Sequence, residues 1–264
     1  MKKFNVPSPA PRITFTATNG RSPAMLSSKK SRLTPIITTL LCLVAVGLPH
    51  AALADDAAGD FSVSSNPNGS WRYGWSATLA SAFNLDVTST TSEYGVSGLA
   101  GWLSNQSGTE GVPYVLKNTT ANPITWNFWT VYQPGQLALE AGYSGQYAVV
   151  RWTAFSAGQF NVAATFSALS QFGDSSDVHI LRDGISIFDS AVNGFPNSQT
   201  YSGTQTLAMG DTIDFAVGFG SDGSVSEDTT GLAATIVAVP EPSTLGLVGA
   251  GLGCLLSLRF LKRK

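Results

Sequence analysis

Aromatic rings and carboxylates are the side chains of this 264-residue chain that could do chemistry. Trp126 and Trp129 stand in the run 125–132, which reads as a strand carrying Trp126, Phe128 and Tyr132 on one face and Trp129 on the other. If one face of such a strand is core, a large ring is left on the other, and an exposed indole can stack on the apolar face of a sugar. Trp71, Tyr73 and Trp75 alternate with Arg72 and Gly74 and make a second candidate carbohydrate platform. The competing use of both sets is simple core packing. Asp222, Glu227 and Asp228 share an acidic Gly/Ser loop, and Asp174 and Asp177 fall in another. Calcium takes about six to eight oxygens from flexible loops, which makes Asp222, Glu227 and Asp228 the candidate metal ligands, although neither loop has the EF-hand pattern. No other cofactor is expected.

Catalytic constellations are poorly supplied. His50 lies in an N-terminal leader, so His179 is the one histidine between residues 55 and 239. A Ser-His-Asp relay needs a histidine between a carboxylate and a nucleophile. Asp177 shares a strand face with His179 and is expected simply to hydrogen-bond it. Two carboxylates about 5–10 Å apart would suffice for a glycosidase, but Glu93, Glu110, Glu140 and Glu227 sit in no recognisable motif and most aspartates sit in turns. Cys42 and Cys254 lie in terminal apolar runs, which leaves residues 55–239 without thiol chemistry or a disulfide. No catalytic residue is assigned.

The ends of the chain are more explicit. Lys29, Lys30 and Arg32 precede an apolar run, 36–48, that is followed by Ala52-Leu53-Ala54. A basic start, a short apolar stretch and a small-x-small site make a secretory signal peptide. Cleavage is expected after Ala54, with Asp55 as the new N-terminus. Residues 1–24 are polar and Pro-rich, and Met25 begins an ordinary signal sequence; residues 1–24 are therefore read as an extension or mis-assigned start and 25–54 as the signal peptide.

At the other end Val239-Pro240-Glu241-Pro242-Ser243-Thr244 leads into the apolar run 245–258, and Arg259, Lys262, Arg263 and Lys264 close the chain. The two prolines enforce an extended linker. The apolar run is expected to be a single transmembrane helix whose basic end stays in the cytoplasm. This tail, residues 239–264, resembles the PEP-CTERM sorting signal. The resemblance implies recognition by an exosortase, a membrane-embedded cysteine peptidase that processes the chain near Pro240-Glu241-Pro242 and passes the remainder to the cell surface or extracellular matrix. It also implies an association with exopolysaccharide.

Between the ends, four Lys/Arg stand against sixteen Asp/Glu, a balance of −12 over residues 55–239. Such a surface repels phosphate backbones, so nucleic acid is not an expected partner. Short alternating runs punctuated by Gly, Pro, Asn and Asp replace any helical stripe. Strands are read at 146–155, 160–166, 200–209, 213–219 and 231–239. A hairpin is read across Asp183-Gly184, whose positive-φ preference suits a tight turn. About eight to ten strands at this spacing indicate an all-β fold, an antiparallel jelly-roll-like β-sandwich ectodomain. Its core is placed at 121–238, with 55–120 as an irregular β/loop segment packing on it. The run 145–236 also resembles a recurring β-sandwich domain of exported PEP-CTERM proteins, through Tyr147 to Trp152, Val178 to Gly184, Gly210 to Phe215 and Asp228 to Leu232. No activity follows from that resemblance.

The expectation is a non-enzymatic protein of the cell envelope, outer surface or extracellular matrix, anchored transiently in the inner membrane by its C-terminal helix. Its partners would be the export machinery and signal peptidase, exosortase, and extracellular polysaccharide as a ligand. A purely structural matrix component and a glycoside hydrolase are the alternatives.

Overall fold

A computed structural model of the chain describes residues 54–104, 111–172 and 175–240. All regular structure there is strand, apart from one 3-10 turn at Glu93–Gly95. The expected signal peptide up to Leu53, and the tail from Glu241 with its membrane run and basic end, lie outside the described residues.

The last eight strands make a jelly roll. They are β9 (Leu137–Glu140), β10 (Tyr147–Thr153), β11 (Gly158–Ala168), β12 (Ser176–Arg182), β13 (Ile185–Val192), β14 (Ser198–Leu207), β15 (Thr212–Phe219) and β16 (Thr230–Ala238). They cross between two sheets at every connection but the β12–β13 hairpin, giving β9-β16-β11-β14 in one and β10-β15-β12-β13 in the other, with all pairs antiparallel. This is the order two interlocked Greek keys produce. The Asp183-Gly184 turn is where the sequence indicates it, with φ of 50° and 79° closing β12 onto β13.

The earlier segment does more than pack on this unit. β2 (Trp71–Ser76) and β3 (Phe83–Leu85) extend one sheet beyond β10, and β4 (Thr88–Thr90), β5 (Leu99–Leu103) and β6 (Tyr114–Asn118) extend the other beyond β9. A short β1 (Ala54–Asp56) adds to β16, with Asp55 opposite Ile236. Strands before residue 121 and strands after it therefore share both sheets. Residues 55–120 look irregular because their strands are short and broken by Gly and Ser, while the pairing that orders them is with distant residues.

The two inner faces interdigitate. Trp71 and Tyr73 from β2, Val150 and Trp152 from β10, Phe160, Val162 and Phe166 from β11, and Ile213, Phe215 and Val217 from β15 are buried in one cluster. Each such side chain contributes about 2–3 kcal/mol of burial free energy. Trp152 packs edge-on to Phe160 with ring centroids 5.1 Å apart. A second, smaller cluster forms on the outer face of the β9-β6-β5 region, from Leu99, Leu103, Tyr114, Leu116, Ala138 and Leu169. Its lid is a separate two-stranded ribbon, β7 (Ile124–Trp126) and β8 (Thr130–Tyr132), which contributes Ile124 and Tyr132.

The outer face of the other sheet is polar but closed. Arg151 forks onto Asp214 through Nε and Nη2 at 2.6 and 2.7 Å, and its guanidinium lies 4.4 Å from the centre of the Phe83 ring. Gly74 is required beneath that ring: a Cβ there would sit 2.1 Å from the Asn84 carbonyl oxygen.

Candidate functional site

The β7–β8 ribbon carries the aromatic residues singled out in the sequence, in a different arrangement. Residues 125–132 are not one strand. Asn127 and Phe128 both have positive φ, 49° and 68°, and the Trp129 amide returns to the Trp126 carbonyl at 3.3 Å. This is the signature of a type I′ hairpin turn, in which asparagine is at home and phenylalanine is strained. The reversal sets aside the expected two-face assignment of Trp126, Phe128, Tyr132 and Trp129.

Each ring then has its own place. Tyr132 is buried over the second core cluster. Trp126 is half-buried and stacks on Tyr94, centroids 4.6 Å apart and planes 24° apart. Phe128 stands at the tip, 92 % exposed. Trp129 lies between Phe128, at 6.3 Å, and Phe172, at 5.5 Å and nearly perpendicular. Phe172 is itself 68 % exposed. The Trp129 indole N–H is buried and meets no acceptor among the described residues.

Backbone pairing holds this ledge in shape. Val131 N–H donates to the Leu169 carbonyl and Gln171 N–H to the Trp129 carbonyl, each at 3.2 Å. Segment 169–171 therefore acts as a third strand beside β8 and delivers Phe172. Sequence reasoning missed Phe172 and Tyr94, which are far from Trp129 along the chain. Asn127 at the apex was the available signal for the turn.

Carboxylates lie behind the ledge. Glu227, another positive-φ residue at 67°, accepts a hydrogen bond from Ser170 Oγ at 2.7 Å. Glu140 accepts from the Tyr114 hydroxyl and, at 2.6 Å, from Thr229 Oγ1. Burial, with the negative charge of Glu140 and more weakly of Glu227, pushes the Tyr132 hydroxyl well above the usual tyrosine range.

The second expected platform is core. Trp71 and Tyr73 are buried, because β2 pairs with β10 in register Trp71–Trp152 and Tyr73–Val150 and turns this side inward. Trp75, on the same side, is half-buried at the rim opposite Ala148. The acidic loop also disperses. Asp222 Oδ1 accepts from the Ser224 amide, Glu227 turns to Ser170, and Asp228 is buried. Among the described residues no group of three or more His, Cys, Asp or Glu side chains is placed to hold a metal ion.

His179 sits between two carboxylates. Its Nε2 is 2.7 Å from Asp177 Oδ2 and its Nδ1 is 2.5 Å from Asp189 Oδ1. Tyr147 donates to Asp177 and Ser186 to Asp189. Both imidazole nitrogens face acceptors, so neither is left to take a proton from a nucleophile. Burial lowers the affinity of the ring for its proton, but hydrogen bonds and charge from Asp177 and Asp189 outweigh it and raise the histidine above its ordinary value.

Of the sorting residues, Val239 and Pro240 are described: Val239 N–H donates to the Gln159 carbonyl at 2.8 Å, one residue beyond β16. Of the cleavage-site residues, Ala54 and Asp55 lie in β1. Ala52, Glu241, Pro242, Ser243, Thr244 and the basic end fall outside the described residues.

No curated protein matches the chain. Among solved structures, a family 35 carbohydrate-binding module from Clostridium thermocellum is similar at 14 % identity and a TM-score of 0.29, covering 44 % of this chain and 87 % of that one. A structure titled "CBM4 structure and function" is similar at 12 % identity and 0.29, covering 51 % and 92 %. Rabbit GITRL is similar at 16 % identity and 0.24, covering 48 % and 84 %. Residues 238–264 match the model of the PEP-CTERM protein-sorting motif, so the jelly-roll sandwich described above is the ectodomain of an exported, cell-surface-directed protein that carries this motif.

Proposed function

We propose that the ectodomain is a non-enzymatic binder of extracellular polysaccharide, and that the aromatic ledge of the β7–β8 ribbon is its contact surface. The observation that carries this reading is Phe128, exposed and held at positive φ between a fixed Trp129 and the rest of solvent. A strained backbone at an exposed apolar tip gains nothing for stability, and such strain concentrates where a side chain is being presented. The Phe128, Trp129 and Phe172 rings offer faces at different tilts, which suits stacking on successive sugars of an extended glycan. The His179 arrangement, with both ring nitrogens facing carboxylates, supports a role without turnover.

Delivery follows from the tail. The signal peptide is removed after Ala54, the 245–258 segment holds the protein transiently in the inner membrane, and exosortase cuts near Pro240-Glu241-Pro242. β16 ends at Ala238, with Val239 and Pro240 between it and Glu241, so the linker begins where the fold ends.

Two measurements test the proposal. Retention of the released protein on the exopolysaccharide of its own host should fall at least tenfold, about 1.4 kcal/mol, on Trp129→Ala with the melting temperature kept within a few degrees; equal retention counts against the ledge. Intact mass of the exported protein should begin at Asp55 and end near Pro242 only when exosortase is present; retention of Lys264 in that strain would make the tail a permanent anchor.

A further inference from the structure

Among the described residues the two main sheet orders end on β14 and β4 and on β13 and β3, with the three-residue β1 a further short edge beside β16, and these edges are not alike. β3 and β4 end their sheets with strands of three residues each. β13 is interrupted by a register shift opposite Ile180/Leu181 and carries Asp189. β14 is ten residues long, pairs with β11 without a break from Ser198 to Leu207, and is paired on that side alone. Shortness, bulges, charge and proline are the devices that keep sheet edges from pairing with one another. β14 has none of them: no charged residue occurs between Asp189 and Asp211, and the strand holds no proline.

We propose that β14 is a self-association edge, at which two copies of this ectodomain pair antiparallel and join their sheets. The occupant is a second copy because the edge is complementary to itself. Pairing about a two-fold axis through Ser202 sets Ser202 opposite its own copy, Thr200 opposite Thr204, Ser198 opposite Thr206 and Gln199 opposite Gln205. Threonine and serine pairs of this kind favour cross-strand contact, and like charges, which would oppose it, are absent. A two-fold contact of one strand with itself is the isologous arrangement of closed dimers.

The flanks of the strand point to the same register. Phe195, 51 % exposed, lies just before β14, and Met209, 74 % exposed, lies just after it. Counting outward from Ser202, the two are equally distant, so the axis that pairs Ser202 with itself brings Phe195 of each copy to the level of Met209 of the other. Both exposed apolar side chains are then covered at once. On the rest of the surface the charge balance of −12 over residues 55–239 opposes approach of a second copy.

Sedimentation equilibrium of the protein recovered from outside the cells should give twice the monomer mass at micromolar concentration. Thr204→Lys places a charge on the exposed side of the edge, at the cost of the 2.7 Å bond from the Thr204 hydroxyl to Asn161 Oδ1, and should return it to the monomer mass with an unchanged circular-dichroism spectrum. Ser202→Cys should form an intermolecular disulfide on mild oxidation, and Ser198→Cys, which faces Thr206 of the second copy, should not. The proposal is overturned if the unaltered protein sediments as a monomer or as a complex with a different chain, if Thr204→Lys stays at the doubled mass, or if Ser198→Cys cross-links as readily as Ser202→Cys. None of these outcomes bears on the aromatic ledge, which lies on the β7–β8 ribbon, outside this sheet.

Discussion

Asp55 accepts a 2.6 Å hydrogen bond from the indole N–H of Trp152, which ties the first residue of the expected mature chain to a fully buried ring at the centre of the core. The buried donor has a charged acceptor in the native state and would have none without it. Asp55→Ala should therefore cost about 1–3 kcal/mol of unfolding free energy. Urea denaturation of the released protein checks this; an unchanged midpoint would mean that β1 contributes nothing to the fold.

Phe128→Gly separates stability from binding at the ledge. Glycine is unstrained at the φ of 68° that Phe128 adopts, and the exposed ring has little burial to lose. Stability should be unchanged or higher by up to about 1 kcal/mol, while retention on polysaccharide falls. A variant that is destabilised and binds normally would contradict both halves of the reading.

Asp86 is buried with neither carboxylate oxygen hydrogen-bonded to a described residue, and burial pushes it up to about 8. Its folded value lies above its unfolded value of 3.8, so the associated stability is complete below about pH 4 and is lost as pH rises towards 8. Asp86→Asn removes the charge at nearly constant shape. The variant should match the parent near pH 4 and be the more stable of the two at pH 8, the gap opening by at most about 1.4 kcal/mol per pH unit between. Parallel pH–stability curves for the two proteins would show that Asp86 is ionised without cost.

The His179 chain has two pH limits of opposite sign. His179 is raised, so its contribution is complete below its unfolded value of 6.5 and disappears as pH climbs through the folded value. Burial favours the neutral form of Asp177, but hydrogen bonds from His179 and Tyr147 outweigh it; Asp189 is lowered by Ser186 and then His179. These two contributions are present above 3.8 and are lost as pH falls through the folded values. Amide protection on β12 and β13, taken relative to the intrinsic exchange rate at each pH, should be greatest in the window between, and His179→Gln should flatten the alkaline limb. An alkaline limb of the same steepness in the variant would place the titrating group elsewhere.

Much of the strand plan was legible in the chain. Phe160 to Phe166 and Ile213 to Phe219 alternate cleanly because each has one face in the core, and Asp183-Gly184 announces its turn through a local φ preference. Residues 71–118 were harder. β2 has both faces covered, so its period is blurred, and nothing local tells Trp71 that Trp152 will lie beside it. The 125–132 run misled because Phe128 occupies a turn position that phenylalanine disfavours, and alternation of large residues through a hairpin tip imitates a strand.

The sequence by itself determined the outline: the sorting motif at 238–264, the all-β composition and the acidic, thiol-free ectodomain. These depend on local properties, such as proline geometry, side-chain period and charge, that survive without knowledge of the fold. Tertiary structure decided which rings are buried and which are presented. Trp71 and Tyr73 became core, and Phe128, Trp129 and Phe172 became a ledge. It also decided that β14 has one neighbour where β11 has two. Exposure and pairing depend on what lies across the sheet, and in a jelly roll the strand across the sheet comes from far along the chain.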